Sequence, residues 1–275
     1  MPSLSTTAVK VMEVCNQPDP SPHELGRVIS LDPVLTGQVL KLINSAYFSL
    51  LHKITTLIRA ITMLGMNTVK NMALSTSIMG TMSRQKTSSL EIADFWAHSL
   101  GVAVTAKVLA KTRDLPYARQ EEFFMAGLLH DLGKLPMDSC FASEYAQSLD
   151  WAEQEQISLA RAETTIFGFN HGDCGRLIIQ KWQLSSPILE AVSHHHELEK
   201  VKNSADRNLV ALVELANIFV NRFQIGCAGD CHPDSSHIDK IFELTGSNWS
   251  ELENMHEIVL EEIKKAQIFL QITVT

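Results

Sequence analysis

Residues 126–135 read AGLLHDLGKL, an apolar run that ends in an imidazole, a carboxylate and, three residues later, an ammonium. His130 and Asp131 are residue types that bind a divalent cation, but they also close hydrogen-bonded helix ends, and this stretch alone leaves both open. Other segments repeat the theme. His98 stands in ADFWAHSL, four residues after Asp94, so both side chains fall on one helix face. His171 stands in GFNHGDCG, and His194, His195 and His196 form a run closed by Glu197. Helical bundles build metal centres by projecting such ligands inward from facing helices. Adjacent helical residues point about 100° apart, so His130 and Asp131 would serve two different ions, or the carboxylate would bridge them. Imidazole with carboxylate suits Fe, Mn, Zn, Co or Ni, and two such ions about 3.5–4 Å apart can activate water and clamp a phosphate. The plainer alternative is a set of hydrogen-bonded core histidines, an Asp131–Lys134 pair and a solvated SHHHE helix end. Grouping in separate helices favours the metal.

The elements that must position these residues read as helices. Val28, Ile29, Val34, Leu35, Val39, Leu40, Leu42 and Ile43 recur at helical spacing, with Asp32 placed as an N-cap and Pro33 in the first turn. LIRAITMLGMNTVKNMALSTSIMG, residues 57–80, predicts two helices broken near Gly65. The polar stretch SRQKTSSL, residues 83–90, marks a boundary. Beyond it DFWAHSLGVAVTAKVLAKT, EEFFMAGLLHDLGK, HGDCGRLIIQKW, SSPILEAVSHHHE and NLVALVELANIFVNRF each predict a helix, with Ser186-Pro187 as a capped start. Only QIFLQITVT at the C-terminus has a β-like pattern. The expected fold class is all-α: an N-terminal helical lobe, residues 1–83, and a helical bundle with a C-terminal extension, residues 84–275.

Composition narrows the function. The 275 residues are 45% hydrophobic and 20% charged, with a net charge of −8. An acidic chain without a Lys/Arg cluster argues against direct nucleic-acid binding, whose affinity comes largely from phosphate contacts. No apolar run reaches the roughly 18 residues that span a bilayer, and the N-terminus lacks the pattern of a secretion signal. The expectation is a cytoplasmic chain with no membrane association. Five irregularly spaced cysteines give no disulfide framework.

FWAHSLGVA, AGLLHDLGKL, FGFNHGDCGRLIIQKW and SHHHE together resemble the HD superfamily of metal-dependent phosphohydrolases. VISLDPVLTGQVLKLINSAYFS and LIRAITMLGMNTVKNMAL resemble the N-terminal part of the HDOD family, the HD-related output domains of bacterial signalling proteins; the likeness runs from about residue 18 to about residue 222. It implies an all-α fold with an HD-like bundle and a signalling role, not catalysis in itself. By resemblance to HD-GYP metal sites, His98, His130, Asp131, His171, His195 and His196 occupy ligand-like positions, with Asp94 a further candidate, and one or two divalent ions are implied. Asp131 and Lys134 are then the catalytic candidates, Lys134 matching a phosphate-facing lysine. Two departures count against catalysis. Asn217 stands where the superfamily has a last aspartate, and a neutral amide holds a cation more weakly. LEKVKNSADRNL follows HHHE in place of a GYP signature. The expected function is an output protein with a retained metal site; the competing one is an active phosphohydrolase. The implied partners are a separate signalling protein and a nucleotide or phosphoester ligand.

Secondary signals are weaker. CAGDCHPDSSH, residues 227–237, offers Cys227, Cys231, His232 and His237 to a structural zinc, or is a polar connection. Asn44, Ser45 and Tyr47 suit a helix cap and a packed ring better than a ligand site. The stripe Leu252, Met255, Ile258, Val259 and Ile263 predicts an amphipathic C-terminal helix that packs on the bundle or receives a partner.

Overall fold

The computed structural model describes residues 3–84, 86–232, 234 and 237–273. In chain order its helices are α1 (Thr6–Cys15), α2 (Pro22–Ser30), α3 (Pro33–Ile43), α4 (Leu57–Leu64), α5 (Met66–Met82), α6 (Ile92–Thr112), α7 (Tyr117–Leu129), α8 (Lys134–Cys140), α9 (Ala142–Glu155), α10 (Leu159–Phe167), α11 (His171–Lys181), α12 (Ser186–His194), α13 (Ser204–Arg222), α14 (Ile238–Thr245), α15 (Trp249–Ala266) and α16 (Ile268–Thr273). No strand occurs among the described residues. Among them, no helix is long and apolar enough to cross a membrane. Of the described residues, 3–84 with 264–273 form one compact unit and 86–263 the other.

The smaller unit gathers α1–α5 and α16. Asp32 caps α3 as its sequence suggests, Oδ1 accepting from the Leu35 amide at 2.9 Å with Pro33 in the first turn. Gly65, at φ 84°, separates α4 from α5 with a backbone that a side chain would strain. Asn44 staples the loop after α3: its Nδ2 donates to the carbonyls of Leu40 and Ile54 at 2.7 and 2.8 Å, and its Oδ1 accepts from the Ile54 amide at 2.7 Å. Tyr47 packs edge-on against Phe269 at 5.7 Å. Cap and packing therefore account for NSAYF. The β-like C-terminus is corrected: residues 268–273 form α16 and pack on α3 and α5, while Val274 and Thr275 lie outside the described residues. A short apolar run without turn signals cannot be assigned by periodicity, and the available helical surface decides it.

The larger unit is built on α6, which packs along α7 and α13, with α12 set against α7, α11 and α13. Gly127 explains how close α6 and α7 come: a Cβ there would lie 2.8 Å from the Ala103 backbone. Phe95, Trp96, Phe123 and Phe124 fill the core as expected, each at most 2% exposed. The buried Asp138 carboxylate ties down the segment before α6, accepting from the Ser88, Ser89 and Leu90 amides at 2.8–3.2 Å. On α15, Leu252, Met255, Val259 and Ile263 are buried, but Ile258 is 58% exposed, a correction to the stripe. Ile258 lies six residues after Leu252, about 240° around the helix and so on another face. The start of α12 is also shifted by one residue: Ser185 is its N-cap, without a side-chain bond.

Candidate metal centre

α7 stops at Leu129, so His130 to Gly133 form the turn into α8 rather than the continuous helix expected through Lys134. Gly133 is required by crowding: a Cβ would lie 1.9 Å from the His171 carbonyl oxygen and 2.7 Å from the Gly175 nitrogen. That approach delivers the start of α11 to Asp131. The His171 end of α11 is itself fixed by a capping box between Asn170 and Asp173.

Six predicted residues converge in two groups of potential ligand atoms. Asp131, His171, His195 and His196 make one; His98, His130 and Asp131 make the other. Asp131 belongs to both, and its two oxygens face different sides. Oδ1 lies 3.2 Å from His171 Nε2 and 3.6 Å from His195 Nε2. Oδ2 lies 3.3 Å from His130 Nε2 and 3.7 Å from His98 Nε2. Asp94 is not among them: it is exposed in the first turn of α6, where its charge complements the helix dipole. His194 points away, its Nε2 3.9 Å from Glu190.

Tautomers follow from acceptors that cannot donate. His130 Nδ1 lies 2.7 Å from the Gly127 carbonyl, His195 Nδ1 lies 3.1 and 3.2 Å from the Ala191 and Val192 carbonyls, and His171 Nδ1 lies 2.6 Å from Glu163 Oε2. Each Nδ1 therefore carries a proton and turns Nε2 inward, the arrangement that orients metal-binding imidazoles. His171 Nε2 is 3.3 Å from His195 Nε2 and 3.1 Å from His196 Nε2. Ligands about 2.0–2.1 Å from a common ion stand about 2.9–3.4 Å apart in octahedral or tetrahedral coordination. These spacings fit a metal-sized cage. So do the buried ring nitrogens of His98, neither of which has a hydrogen bond of normal geometry. Left unmatched, such groups destabilise the fold.

Electrostatics favour the same reading at three rings. Burial pushes His98 down to about 3 and His195 down to about 4, and burial with two neighbouring rings holds the half-buried His196 well below the usual range. All three are neutral and can donate a lone pair. His171 is pushed up to about 9: burial opposes its charge, but the Glu163 and Asp131 carboxylates outweigh that. For Asp131, burial likewise opposes ionisation, yet His130, Lys134 and His171 hold it well below the usual carboxylate range.

Lys134 is 1% exposed, and its Nζ donates to Asp131 Oδ2 at 2.8 Å and to the Ala228 carbonyl at 3.1 Å. The ammonium is thus held on the oxygen that faces His98 and His130, which makes that side the poorer cation site. Asn217, buried on α13, neighbours His98, and its Oδ1 accepts from Asn221 Nδ2 at 2.9 Å. Sequence reading missed Glu163, Asp230 and the Ala228 carbonyl. Glu163 stands in RAETTIF with no spacing that marks it, and only the packing of α10 on α11 brings it to His171. At the loop proposed for zinc, His232 turns to Glu153 at 3.2 Å, and its Pro233, Ser235 and Ser236 lie outside the described residues.

The chain is 22% identical over 220 residues to an uncharacterised protein of Treponema pallidum, covering 80% of this chain and 42% of that protein. The chain thus spans less than half the length of this relative. An HDOD domain protein of unknown function from Geobacter sulfurreducens has the same fold, at TM-score 0.80 and 24% identity, over 100% of this chain and 94% of that one. A protein from Shewanella amazonensis provisionally named a phosphohydrolase matches at TM-score 0.72 and 22% identity, over 96% of this chain and 94% of that one. The family model described as HDOD domain matches residues 1–198, a span that takes in every residue of the two ligand groups. The chain belongs to the HDOD family.

Proposed function

We propose that this protein is a signal-transduction output module that holds a divalent ion in its larger helical unit and presents helical surfaces to a partner protein. The observation that carries this reading is the convergence of the inward Nε2 atoms of His171, His195 and His196 on Asp131 Oδ1. These residues would hold the ion, one of Fe, Mn, Zn, Ni or Co by donor type. His98 and His130 would offer a second, weaker position. Glu163 orients His171, and Lys134 offsets the charge of Asp131 while tying it to the Ala228 carbonyl. A nucleotide or phosphoester is the proposed small-molecule effector.

A phosphohydrolase is the second reading, favoured by one feature: each oxygen of Asp131 faces its own histidine group. A divalent pair at such a site supplies a water of lowered pKa and polarises a phosphoryl group. The protein's own part would be to fix the ligands and to turn the Lys134 ammonium onto the substrate. Lys134 is instead held by Asp131 and Ala228, and Asn217 adds no carboxylate, so the output reading is preferred. The test is hydrolysis of nucleotide, cyclic-dinucleotide and phosphomonoester panels, read by chromatography of the products, with Mn²⁺ and with Fe²⁺ under low oxygen. The output reading predicts no turnover above the Asp131→Asn variant; efficient turnover lost in that variant would establish the hydrolase instead.

A further inference from the structure

Two grooves of the smaller unit adjoin at Leu40 of α3 and at Thr55, with volumes of about 530 and about 700 Å³. Small-molecule sites typically measure roughly 300–1,000 Å³ and have mostly apolar walls. Leu40, Leu50, Leu57 and Ile58 supply such walls here. The ionisable side chains lining the grooves are His23, Arg27, Lys41, His52 and Lys53, and no carboxylate stands among the described lining residues. The chain as a whole has 31 acidic and 23 basic side chains, so this lining runs against its balance. Glu24 meets Arg27 only at 3.9 Å, and the Arg27 side chain stays 73% exposed.

The fold holds these groups in place. Gly26 lets α4 close on α2, since a Cβ there would lie 2.8 Å from Ile58 Cδ1. That approach brings Arg27 and the start of α4 to one groove. Asn44 bonds both the carbonyl and the amide of Ile54, which fixes Lys53 and Thr55 on either side of it. At the start of α4, Thr56 Oγ1 accepts from the Arg59 amide at 3.3 Å and the Thr56 carbonyl accepts from the Ala60 amide at 3.1 Å. The Leu57 and Ile58 amides therefore precede the first helical bond, and the first turn carries no acidic residue. An anion at this end would meet the positive end of the helix dipole together with the cationic rim.

We propose that this double groove binds the effector as a nucleotide, its phosphate at the cationic rim near the start of α4 and its nucleoside against Leu40, Leu57 and Ile58. The inference rests on the effector reading given above and adds its place, in the unit that does not hold the metal centre. The Arg27 guanidinium and the Lys53 ammonium would each make charge-assisted bonds to phosphate oxygens.

The test titrates ATP, GTP, a cyclic dinucleotide and inorganic phosphate separately into full-length protein by calorimetry at low salt, after chelator treatment and again with Mn²⁺. At least one nucleotide should bind the chelator-treated protein, and more tightly than phosphate alone. Arg27→Glu combined with Lys53→Glu should weaken that binding roughly tenfold or more. Both side chains are exposed, so the melting temperature should hold, and Arg27→Gln with Lys53→Gln should weaken binding in the same direction. Nucleotide binding that requires Mn²⁺ and is unchanged in the groove variants would overturn this inference and leave the effector reading standing, with the metal centre as its site. Binding of no nucleotide under either condition would overturn both. Phosphate bound as tightly as every nucleotide, or a polyglutamate peptide bound more tightly than all of them, would also overturn the inference.

Discussion

A single carboxylate oxygen of Glu163 accepts two hydrogen bonds from His171, one from its backbone amide at 2.8 Å and one from ring Nδ1 at 2.6 Å. This fixes both the start of α11 and the direction of Nε2. Glu163→Gln removes the charge and should weaken divalent-ion affinity about 10–100-fold with the fold retained. Chelator-competition titration of Mn²⁺ measures it; equal affinity in the two proteins would show that Glu163 does not support the site.

The same pair sets a pH dependence. His171 is held up to about 9, so a proton competes with the ion for Nε2 at neutral pH. Binding must release that proton, and affinity should rise about tenfold per pH unit towards 9, then level off. A flat affinity between pH 7 and 9 would mean that His171 does not bind the ion.

Asp131→Asn removes the carboxylate paired with the Lys134 ammonium, which is buried at 1% exposure. In chelator-treated protein this should cost about 3–5 kcal/mol at neutral pH, read from urea unfolding. A loss below about 1 kcal/mol would contradict the role given to Lys134 as the partner of Asp131.

Glu214 tests a buried carboxyl outside the ligand groups. Burial, with Asp234 adding repulsion, pushes it up to about 8. With the folded value raised above the unfolded one, its contribution is fully present below about 4.5 and is lost as pH rises through about 8. Glu214→Gln should therefore raise the melting temperature at pH 8–9 relative to wild type and leave it nearly unchanged at pH 4.5. An equal shift at both pH values would rule out ionisation as the cause.

Gly133→Ala should cost about 3 kcal/mol or more, because the added carbon meets the His171 backbone and not a side chain that can swing away. Gly37→Ala is the control. Nothing lies within 4 Å of the added carbon, and the change in α3 should stabilise by up to about 1 kcal/mol. Thermal melts of both variants decide; tolerance of alanine at 133 would refute the close approach.

The helices were legible where caps and breaks agreed with periodicity, as at Asp32-Pro33 and Gly65. The residues of the ligand groups were legible because histidine and aspartate stand in compact apolar motifs. Three features were not. Glu163 acts across a helix–helix contact that leaves no spacing in the chain. The inward turn of Lys134 depends on a carbonyl 94 residues away. Residues 268–273 of QIFLQITVT fold as helix because neighbouring helices outweigh local β preference. Asp94 failed for a related reason: matching a helix face to His98 does not place a residue at the same depth.

The most direct measurement is the metal content of tag-free protein purified without chelator under low oxygen, set beside Asp131→Asn and His195→Ala. The account predicts about one tightly held divalent ion per wild-type chain and its loss in both variants, since both supply atoms to the same cage. Wild-type protein without metal that also fails to take up Mn²⁺, Fe²⁺, Zn²⁺, Ni²⁺ or Co²⁺ would contradict it and leave the histidines as structural partners of Asp131.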